Sequence, residues 1–381
     1  MIDPQLFSEA VRDSGILEVV GVPDSLLKSV LGRLEDAYGS RFKVVANEGT
    51  AIGLAIGSFA ASGRLSLVFM QNSGLGNAIN PIVSLAHPGV FGCPMILLIG
   101  WRGELFDDGQ QIEDEPQHLL QGRITRELLA LLDIPAFEMP ESQDSREFLN
   151  ELEKIARQKQ GPVAILVRKG TFSSCNKAKV GPPPSQDMSR EEAISAVLLS
   201  CSAGVPVVAA TGMIGREVHE FQQARGQGLN SDLLVVGGMG HASSVAAGVG
   251  LGKKIGKVVC LDGDGGVLMH MGALPHVAQS SSLIHILLNN GVHDSVGGQK
   301  TVAKSMDFHK IADGAGYGSY RLCTSSEEIS HSVEEALTSP LSSFLEILCR
   351  PGYRTDLGRP GQTPGDNFAS FSSFLTGLRA S

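Results

Sequence analysis

The stretch that decides the fold is residues 258–291, VVCLDGDGGVLMHMGALPHVAQSSSLIHILLNNG. It contains two short runs of apolar and β-branched residues, 258–261 and 284–288, and each run ends in a polar turn. Runs of this kind, bounded by Gly, Asp and Asn, are typical of buried strands. The residues between the two runs suffice for a helical crossover. The stretch therefore predicts two parallel, neighbouring strands.

The two polar turns carry oxygen ligands. Asp264 lies between glycines after the first strand, and Asn290 follows the second strand. Because the carboxyl ends of parallel strands meet at one edge of a sheet, both side chains can reach the same point. A carboxylate, an amide oxygen and a backbone carbonyl just after Asn290 suit Mg²⁺, and the glycines let the backbone approach a diphosphate. Each motif could also be an ordinary tight turn, but the spacing of the pair favours a metal site.

Short strands alternate with amphipathic helices along the whole chain. In the first half, the predicted strands are Glu18–Val22, Lys43–Ala46, Leu65–Met70, Met95–Ile99 and Val163–Val167. The helical patterns between them include Ser25–Asp36 and Thr50–Ala61. In the second half, the predicted strands are Val205–Ala210, Leu233–Val236, Val258–Leu261, Ile284–Leu288 and Phe344–Leu348. This alternation predicts an α/β fold in which helices cover both faces of parallel sheets.

The two halves are joined by residues 173–188, which are rich in Pro and Ser and contain Pro182, Pro183 and Pro184. Such a composition predicts an extended linker. Directly after it, Ser189 and Glu192 have the spacing of a capping box, which predicts the first helix of the second half. We therefore expect two doubly wound parallel-sheet domains, 1–172 and 189–381. The second includes a C-terminal tail, and no middle domain separates the two.

Composition and charge exclude several classes of protein. A net charge of −9 argues against general binding of nucleic acid, which relies on clustered Lys and Arg. The longest apolar runs, such as Met95–Ile99, are too short to span a membrane. The N-terminus has no basic region followed by an apolar run, and the six cysteines form no C-x-x-C pair. These features predict a cytoplasmic protein with free thiols.

The two polar turns and their spacing resemble the motif by which thiamin-diphosphate-dependent enzymes bind their cofactor and Mg²⁺. By that resemblance, Asp264, Asn290 and the carbonyl of Val292 hold the metal ion. Residues 237–240, Gly-Gly-Met-Gly, are similar to the family's cofactor loop, in which Met239 keeps the two cofactor rings in a bent shape. Further residues assigned to the cofactor are Asn72, Gly74, Thr211, Gly212, Gly238, Gly240, Gly263, Gly265 and Gly266.

Residues 46–51, Ala-Asn-Glu-Gly-Thr-Ala, are similar to the N-E-x-x-A pattern of the same family. The family needs a carboxylic acid that hydrogen-bonds to the pyrimidine ring of the cofactor, in an apolar setting that raises its pKa. The resemblance gives this role to Glu48. The alternative is a glutamate that the helix dipole favours at a helix N-terminus. Because the family builds its site across a subunit interface, the resemblance implies a homodimer or tetramer in which Glu48 of one chain faces Asp264 of another.

Larger members of this family carry a middle domain, which has no counterpart in this chain. The chain is therefore similar to the compact phosphonopyruvate and sulfopyruvate decarboxylases of the family. Blocks spread over nearly the whole chain resemble the phosphonopyruvate enzymes more closely, namely 21–27, 70–81, 99–103, 114–118, 121–123, 289–299 and 356–360. One departure is the acidic segment 104–113, which is longer than the family requires. The resemblance implies decarboxylation of phosphonopyruvate to phosphonoacetaldehyde and CO₂.

A pocket for a phosphonate and a carboxylate needs cations and hydrogen-bond donors. The candidates for binding the substrate are Ser25, Lys28, Arg102 and Arg123, with Arg126 and Lys300 as further cations. The candidates for proton transfer are Asp24 and His118, and His241 and His293 flank the cofactor motifs. Each assignment has an alternative. The cations could be solvated surface charges, Asp24 could cap a helix that begins at Ser25, and His118 could bond only to backbone.

Other functions also have to be weighed. A sulfopyruvate decarboxylase would use the same chemistry on a sulfonate, and a carboligase would join the substrate to a second 2-oxo acid. A non-catalytic member of the family would be expected to have lost Glu48 or Asp264, and both are present. A Rossmann nucleotide-binding protein is disfavoured because no predicted strand is followed by G-x-G-x-x-G.

Overall fold

The computed structural model of the chain describes residues 1–106, 108–140, 144–174, 188–202, 204–252 and 255–380. The chain divides into two compact units, Met1–Lys179 and Val180–Ser381. The three consecutive prolines of the predicted linker lie in 175–187, outside the described residues.

The first unit contains a six-stranded parallel sheet. Its strands are β1 (Glu18–Gly21), β2 (Phe42–Val44), β3 (Ser66–Gln71), β4 (Met95–Gly100), β5 (Ala136–Glu138) and β6 (Pro162–Val167). They are arranged in the order β2-β1-β3-β4-β6-β5. The helices of this unit are α1 (Pro4–Asp13), α2 (Lys28–Tyr38), α3 (Glu48–Ser62), α4 (Leu75–Pro81), α5 (Pro116–Leu131) and α6 (Ser145–Lys159).

The second unit contains another six-stranded parallel sheet. Its strands are β7 (Val207–Ala209), β8 (Asp232–Leu234), β9 (Val258–Gly263), β10 (Leu283–Asn289), β11 (Ser319–Cys323) and β12 (Ser343–Leu348). The helices are α7 (Arg190–Ser200), α8 (Met213–Ala224), α9 (Ala242–Gly250), α10 (Asp264–Met269), α11 (Leu274–Val277), α12 (Phe308–Ala315), α13 (Ser326–Thr338) and α14 (Pro364–Ala380). The strand order is β8-β7-β9-β10-β12-β11, which repeats the order of the first sheet.

Helices cover both faces of the first sheet, as its apolar strands require. Val19, Leu67 and Phe69 belong to one buried cluster, whereas the alternating residues Val20 and Val68 belong to another. Successive side chains of a strand point to opposite faces, so each face has its own core. The predicted doubly wound α/β fold is confirmed.

The shared strand order determines where ligands can bind. In each sheet the order reverses between two strands, β1 and β3 in the first and β7 and β9 in the second. The carboxyl ends of strands at such a reversal form the crevice in which α/β proteins bind ligands.

Most differences between predicted and observed elements lie at sheet edges and helix starts. The edge strands β5 and β11 were not predicted, because their partly exposed residues form no apolar run. Helix α2 begins at Lys28, three residues after the predicted start at Ser25. The predicted capping box is confirmed: the Ser189 hydroxyl accepts a hydrogen bond from Glu192 N, and the Glu192 carboxylate accepts one from Ser189 N.

A side chain covers one edge of the second sheet. Asn367 in α14 accepts a hydrogen bond from Leu234 N at 2.9 Å and donates one to Asp232 O at 2.8 Å. These are main-chain groups of β8, the strand at the end of the sheet. The amide of Asn367 thus takes the place of a neighbouring strand.

The described cysteines, Cys93, Cys201, Cys260, Cys323 and Cys349, are free thiols, as predicted, and Cys175 lies outside the described residues. No helix in the described ranges combines the length and apolar character that a membrane span requires.

Candidate active site

Glu48 is the first residue of α3 and follows β2. Its side chain is buried, with 5% exposed, and its Oε2 accepts a hydrogen bond from Asn77 Nδ2 at 2.7 Å. Asn47 caps the helix by accepting a hydrogen bond from Gly49 N at 2.8 Å, which fixes the start of α3. Burial raises the pKa of Glu48 above its ordinary value. A carboxyl group in this setting can hold a proton that an exposed glutamate would lose.

Asp24 lies just after β1 and is fully buried. Its Oδ2 accepts a hydrogen bond from Leu26 N at 2.9 Å, and its Oδ1 has no hydrogen-bond partner among the described residues. The contact with Leu26 closes a turn that precedes α2, so Asp24 does not cap a helix at Ser25. Burial raises the pKa of Asp24 to about 6, against the smaller opposing effects of backbone hydrogen bonds and the Arg102 charge.

Arg102 follows β4 and links Asp24's neighbour Ser25 to Asp114. Its Nε donates to Asp114 Oδ2 at 2.7 Å, its Nη2 donates to Asp114 Oδ1, and its Nη1 donates to Ser25 Oγ at 3.3 Å. Burial alone would raise the pKa of Asp114, but the Arg102 guanidinium holds it well below its ordinary range. The positive charge of Arg102 is therefore already paired with the negative charge of Asp114.

Asn72 positions the backbone of Arg102. Its Nδ2 donates to Arg102 O at 3.0 Å and to Thr125 Oγ1 at 3.0 Å, and its Oδ1 accepts from Arg102 N at 3.3 Å. Both the nitrogen and the oxygen of the Asn72 amide therefore bond to residues of the first unit. The predicted contact of Asn72 with a cofactor stays a prediction.

His118 lies in the first turn of α5, with its Nε2 4.0 Å from Glu115 Oε2.

The other predicted cations lie in different surroundings. Lys28, Arg123 and Lys300 have exposed side chains. Arg126 pairs with Glu138 and stacks on Trp101, with its guanidinium carbon 5.0 Å from the ring centre. The structure therefore brings Asp24, Ser25 and Arg102 together. For all these cations, Arg102 included, binding to substrate stays a prediction.

In the second unit, Asp264 and Asn290 follow the neighbouring strands β9 and β10, whose register pairs Gly263 with Leu288. Asp264 is 3% exposed, and its Oδ2 accepts a hydrogen bond from Thr301 Oγ1. Burial raises the pKa of Asp264 to about 6. Both side chains thus occur at one edge of the sheet, as the sequence predicted.

Asn290 has a defined orientation. Its Nδ2 donates to Asp294 Oδ2 at 2.7 Å, and its Oδ1 accepts from Val292 N at 3.1 Å. An amide oxygen has two lone pairs, so Oδ1 can still bind a cation.

Two glycines keep the loops at this edge close together. Gly240 has a φ of +88°, and a Cβ atom at this position would lie 2.6 Å from His270 Cδ2 and 3.0 Å from Gly266 O. A Cβ atom on Gly265 would lie 2.7 Å from His293 Cε1. The half-buried Met239 lies between Gly238 and Gly240.

The loops after β7 and β8 are also joined. Thr211 Oγ1 donates to Val236 O at 2.9 Å. Gly212 precedes α8 with a φ of +94°. His293 is half-buried, and desolvation lowers its pKa to about 4, whereas His241 is exposed and stacks on His270. A neutral imidazole at His293 therefore lies against the Gly265 turn.

Comparison with known proteins identifies the family. The N-terminal TPP binding domain of thiamine pyrophosphate enzymes matches residues 4–125, and the C-terminal TPP binding domain of these enzymes matches residues 210–347. A phosphonopyruvate decarboxylase from Streptomyces viridochromogenes is 33% identical over an aligned length of 380, which covers 95% of this chain and 92% of that protein. The chain is a thiamine pyrophosphate enzyme.

Two further relatives of this thiamine pyrophosphate enzyme match over most of their length. A phosphonopyruvate decarboxylase from Streptomyces hygroscopicus is 32% identical over an aligned length of 381, which covers 95% of this chain and 91% of that protein. A sulfopyruvate decarboxylase from Methanosarcina acetivorans is 25% identical over 365 residues, covering 90% of each chain.

The residues of this thiamine pyrophosphate enzyme fit a divalent cation. Among the described residues, the buried Arg190 pairs with both Glu217 and Asp294, so one cation faces two acids. The buried Asp264 bonds to the neutral hydroxyl group of Thr301. A buried excess of negative charge is costly unless a cation balances it. Oxygen ligands from Asp264 and Asn290 are the kind that Mg²⁺ prefers.

Sequence reasoning missed two residues of this thiamine pyrophosphate enzyme. Thr301 bonds to Asp264, and Asp294 bonds to Asn290. Both lie in a polar loop whose composition is ordinary for a turn, and their partners depend on how that loop folds. The only available signal was the position of Asp294 inside the resembling block 289–299.

Proposed function

We propose that this thiamine pyrophosphate enzyme decarboxylates phosphonopyruvate to phosphonoacetaldehyde and CO₂, with thiamin diphosphate and Mg²⁺ as cofactors. The observation that carries the proposal is the similarity to two phosphonopyruvate decarboxylases over 95% of the chain. A decarboxylase of this family needs a protonatable buried carboxyl group and an oxygen-ligand metal site. Glu48 and the pair Asp264 and Asn290 supply them.

Asp264, Asn290 and the carbonyl of Val292 would hold Mg²⁺. Gly263, Gly265 and Gly266 would let the diphosphate approach the backbone, where α10 begins. When bound, thiamin diphosphate supplies an electron sink for the electron pair that remains when CO₂ leaves a 2-oxo acid.

Glu48 would hold a proton against the pyrimidine ring nitrogen N1′ of the cofactor. Its burial supports this role because an apolar setting favours the protonated carboxyl group. The hydrogen bond from Asn77 leaves the second oxygen, Oε1, on the side of Gly74. Asn77 therefore orients the carboxyl group that shares the proton.

Asp24 is the proposed proton donor and acceptor at the substrate. Its pKa of about 6 allows it to exchange a proton near neutral pH, and its Oδ1 is not engaged by any described residue. Ser25 and Arg102 would bind the anionic groups of the substrate, and Arg102 is already held in place by Asp114. Lys28, Arg123 and His118 are proposed to complete the pocket.

Sulfopyruvate is the alternative substrate. A sulfopyruvate decarboxylase that matches 90% of this chain is 25% identical to it, compared with 33% for a phosphonopyruvate decarboxylase that matches 95%. The two substrates differ only in the group that carries the second negative charge. The same pocket could therefore accept both, and the ratio of turnover measures its preference.

We also propose that the enzyme is a cytoplasmic homodimer or tetramer. Helix α3 supports this assembly because its outer face is apolar. Leu54 is 40% exposed, and Gly53 and Gly57 have open space around them. Exposed faces of this kind commonly pack against another protein surface.

Turnover of purified protein tests the proposed function. CO₂ and phosphonoacetaldehyde should form from phosphonopyruvate only when thiamin diphosphate and Mg²⁺ are both present. Glu48→Gln should lower kcat by about 100-fold or more, since an amide cannot exchange the required proton. The control is Glu18→Gln, which alters a glutamate at the other end of the first sheet and should leave kcat unchanged.

Three results would contradict the proposal. Faster turnover of sulfopyruvate would reassign the substrate, and a carbon–carbon coupling product in place of free aldehyde would indicate a carboligase. Full activity of Glu48→Gln would remove Glu48 from the mechanism.

A further inference from the structure

The loop 291–301 follows Asn290 and contacts both side chains that are proposed to bind the metal ion. Its ends are joined by an antiparallel bridge between Val292 and Lys300, and His293 N donates to Gln299 O at 2.8 Å. Thr301 N donates to Gly291 O at 3.0 Å, which closes the loop at its base. The loop is therefore a compact hairpin rather than a loose connection.

Each end of this hairpin contacts one proposed ligand. Near the start, Asp294 accepts a hydrogen bond from Asn290 Nδ2 at 2.7 Å. At the end, Thr301 Oγ1 donates to Asp264 Oδ2. The hairpin thus forms a hydrogen bond with each of the two proposed metal ligands, Asp264 and Asn290.

The contact with Asp294 decides which way the Asn290 amide faces. An ionised carboxylate only accepts hydrogen bonds, so the NH₂ group of Asn290 must point towards Asp294. Its Oδ1 consequently points away from Asp294. In this orientation Oδ1 accepts a hydrogen bond from Val292 N. The peptide that bears the Val292 carbonyl is held separately, because His293 N donates to Gln299 O.

Asp294 is itself held from two other directions. Arg190 Nη1 donates to its Oδ2 at 2.8 Å, and Gly352 N lies 3.1 Å from both carboxylate oxygens. Arg190 is 4% exposed and is fixed by a bidentate pair with Glu217, with both distances 2.8 Å. The first residue of α7 and the segment after β12 therefore fix the position of Asp294.

We propose that Asp294 is a positioning residue for the metal site: it orients the Asn290 amide so that Oδ1 faces Mg²⁺. This inference rests on the proposed function, because it takes Asn290 as a ligand. Asp294 itself accepts hydrogen bonds from Asn290, Arg190 and Gly352 and acts on the cation only through Asn290. Groups that orient metal ligands commonly change metal affinity by about 10- to 100-fold.

Binding of Mn²⁺ to the full-length protein with thiamin diphosphate, followed by electron paramagnetic resonance, tests the inference. Asp294→Ala should weaken Mn²⁺ binding by about 10-fold or more. Asp294→Asn can still accept a hydrogen bond from Asn290 and should lie between wild type and Asp294→Ala. Activity of Asp294→Ala with phosphonopyruvate should largely recover at saturating Mg²⁺.

The matched control is Glu217→Gln. It also disturbs the buried Arg190 cluster, so it should lower thermal stability as Asp294→Ala does, but it does not touch Asn290. Its Mn²⁺ affinity should stay within about threefold of wild type, which is small beside the loss expected on removing an orienting group. Asp313→Ala, which removes an exposed carboxylate on α12, controls for a general change in charge.

Two outcomes overturn the inference while the proposed function stands. In the first, Asp294→Ala binds Mn²⁺ as tightly as wild type. In the second, Glu217→Gln loses as much affinity as Asp294→Ala, which would indicate a general structural role. If wild type neither binds Mn²⁺ nor turns over phosphonopyruvate, the proposed function fails together with the inference.

Discussion

Gly74 and Glu48 are in such close contact that a Cβ atom on Gly74 would lie 2.4 Å from Glu48 Oε1 and 2.7 Å from its Cγ. Gly74 follows β3, and Glu48 begins α3 just after β2, so the contact joins the segments that follow two strands at the same edge of the first sheet. Only a residue without a side chain leaves the carboxyl group in its observed position. Gly74 thus contributes to the proposed site through the space that it leaves.

We predict that Gly74→Ala lowers activity far more than stability. The added methyl group must displace the Glu48 side chain, which is flexible enough to move at little cost in folding free energy. A displaced carboxyl group would no longer meet the cofactor ring, so kcat should fall by about 100-fold. Steady-state kinetics and thermal unfolding of the same preparation measure both effects.

Gly76→Ala is the control, because a Cβ atom on Gly76 would meet no atom within 4 Å. Its kcat should match that of wild type. Equal losses in the two variants would contradict the role given to Gly74.

We predict that Asp24→Asn stabilises the first unit at high pH. The pKa of Asp24 rises from 3.8 to about 6 on folding, so the folded state binds its proton more tightly than the unfolded chain. Stability is therefore lost as the pH rises from about 4 to about 6, and the full cost above this range is about 3 kcal/mol. Asparagine carries no charge and avoids this cost.

Urea unfolding at pH 4 and pH 8 checks the sign of this effect. Asp24→Asn should be more stable than wild type at pH 8, and most of this difference should disappear at pH 4, where Asp24 of the folded chain is protonated. Its activity should fall because the proposed proton donor is gone. A variant that is less stable than wild type at pH 8 would show that the Asp24 charge is compensated in the fold.

We predict that Gly122→Ala destabilises the first unit by about 1–3 kcal/mol or more. A Cβ atom on Gly122 would lie 1.8 Å from Gly103 O and 2.6 Å from Arg102 O, and these backbone atoms cannot move independently. Helix α5 would have to shift, which would also strain the 2.8 Å hydrogen bond from Trp101 Nε1 to Gly122 O. The free energy of urea unfolding measures the loss.

Ala130→Gly is the comparison for that variant, because Ala130 is exposed on the same helix. It should cost only about 1 kcal/mol through helix propensity. If Gly122→Ala is no worse than this variant, α5 is not closely packed on the loop after β4.

We predict that Ser189→Ala destabilises the second unit by about 1 kcal/mol. Ser189 accepts the hydrogen bond from Glu192 N at 3.2 Å that caps α7, and alanine cannot replace it. Thermal unfolding measures the loss of stability. The control is Ser200→Ala at the other end of α7, and the difference between the two variants isolates the contribution of the cap. Ser200→Ala should change stability by less than about 0.5 kcal/mol.

Much of the fold could be predicted because central strands carry a strong local signal. Both β4 and β10 are buried on both faces. The sequence of β4 is apolar throughout, and that of β10 is apolar except for His285 and the final Asn289, so both can be recognised without knowledge of their neighbours. The edge strands β5 and β11 each pair with one neighbouring strand only. Most of their residues are partly or fully exposed, and they form no apolar run. Their presence depends on pairing with β6 and β12, which local sequence does not encode.

The residues of the proposed site also differ in how far the sequence could predict them. Asp264, Asn290 and Glu48 each lie just after a predicted strand, so the strand pattern alone located them at sheet edges. The contacts of Asp294 and Asn72 depend on side chains that are distant in sequence, such as Arg190 and Thr125. Only the folded chain brings these groups within hydrogen-bonding distance.

The amide of Asn367 has a consequence for how the chain avoids self-association. Strand β8 ends its sheet, and its free main-chain groups would otherwise recruit an extended segment from a neighbouring molecule. Asn367 bonds to Leu234 N and Asp232 O and so occupies the positions that such a segment would use. Shortening the chain before α14 would uncover a template for cross-β assembly, and soluble yield would then decline with protein concentration.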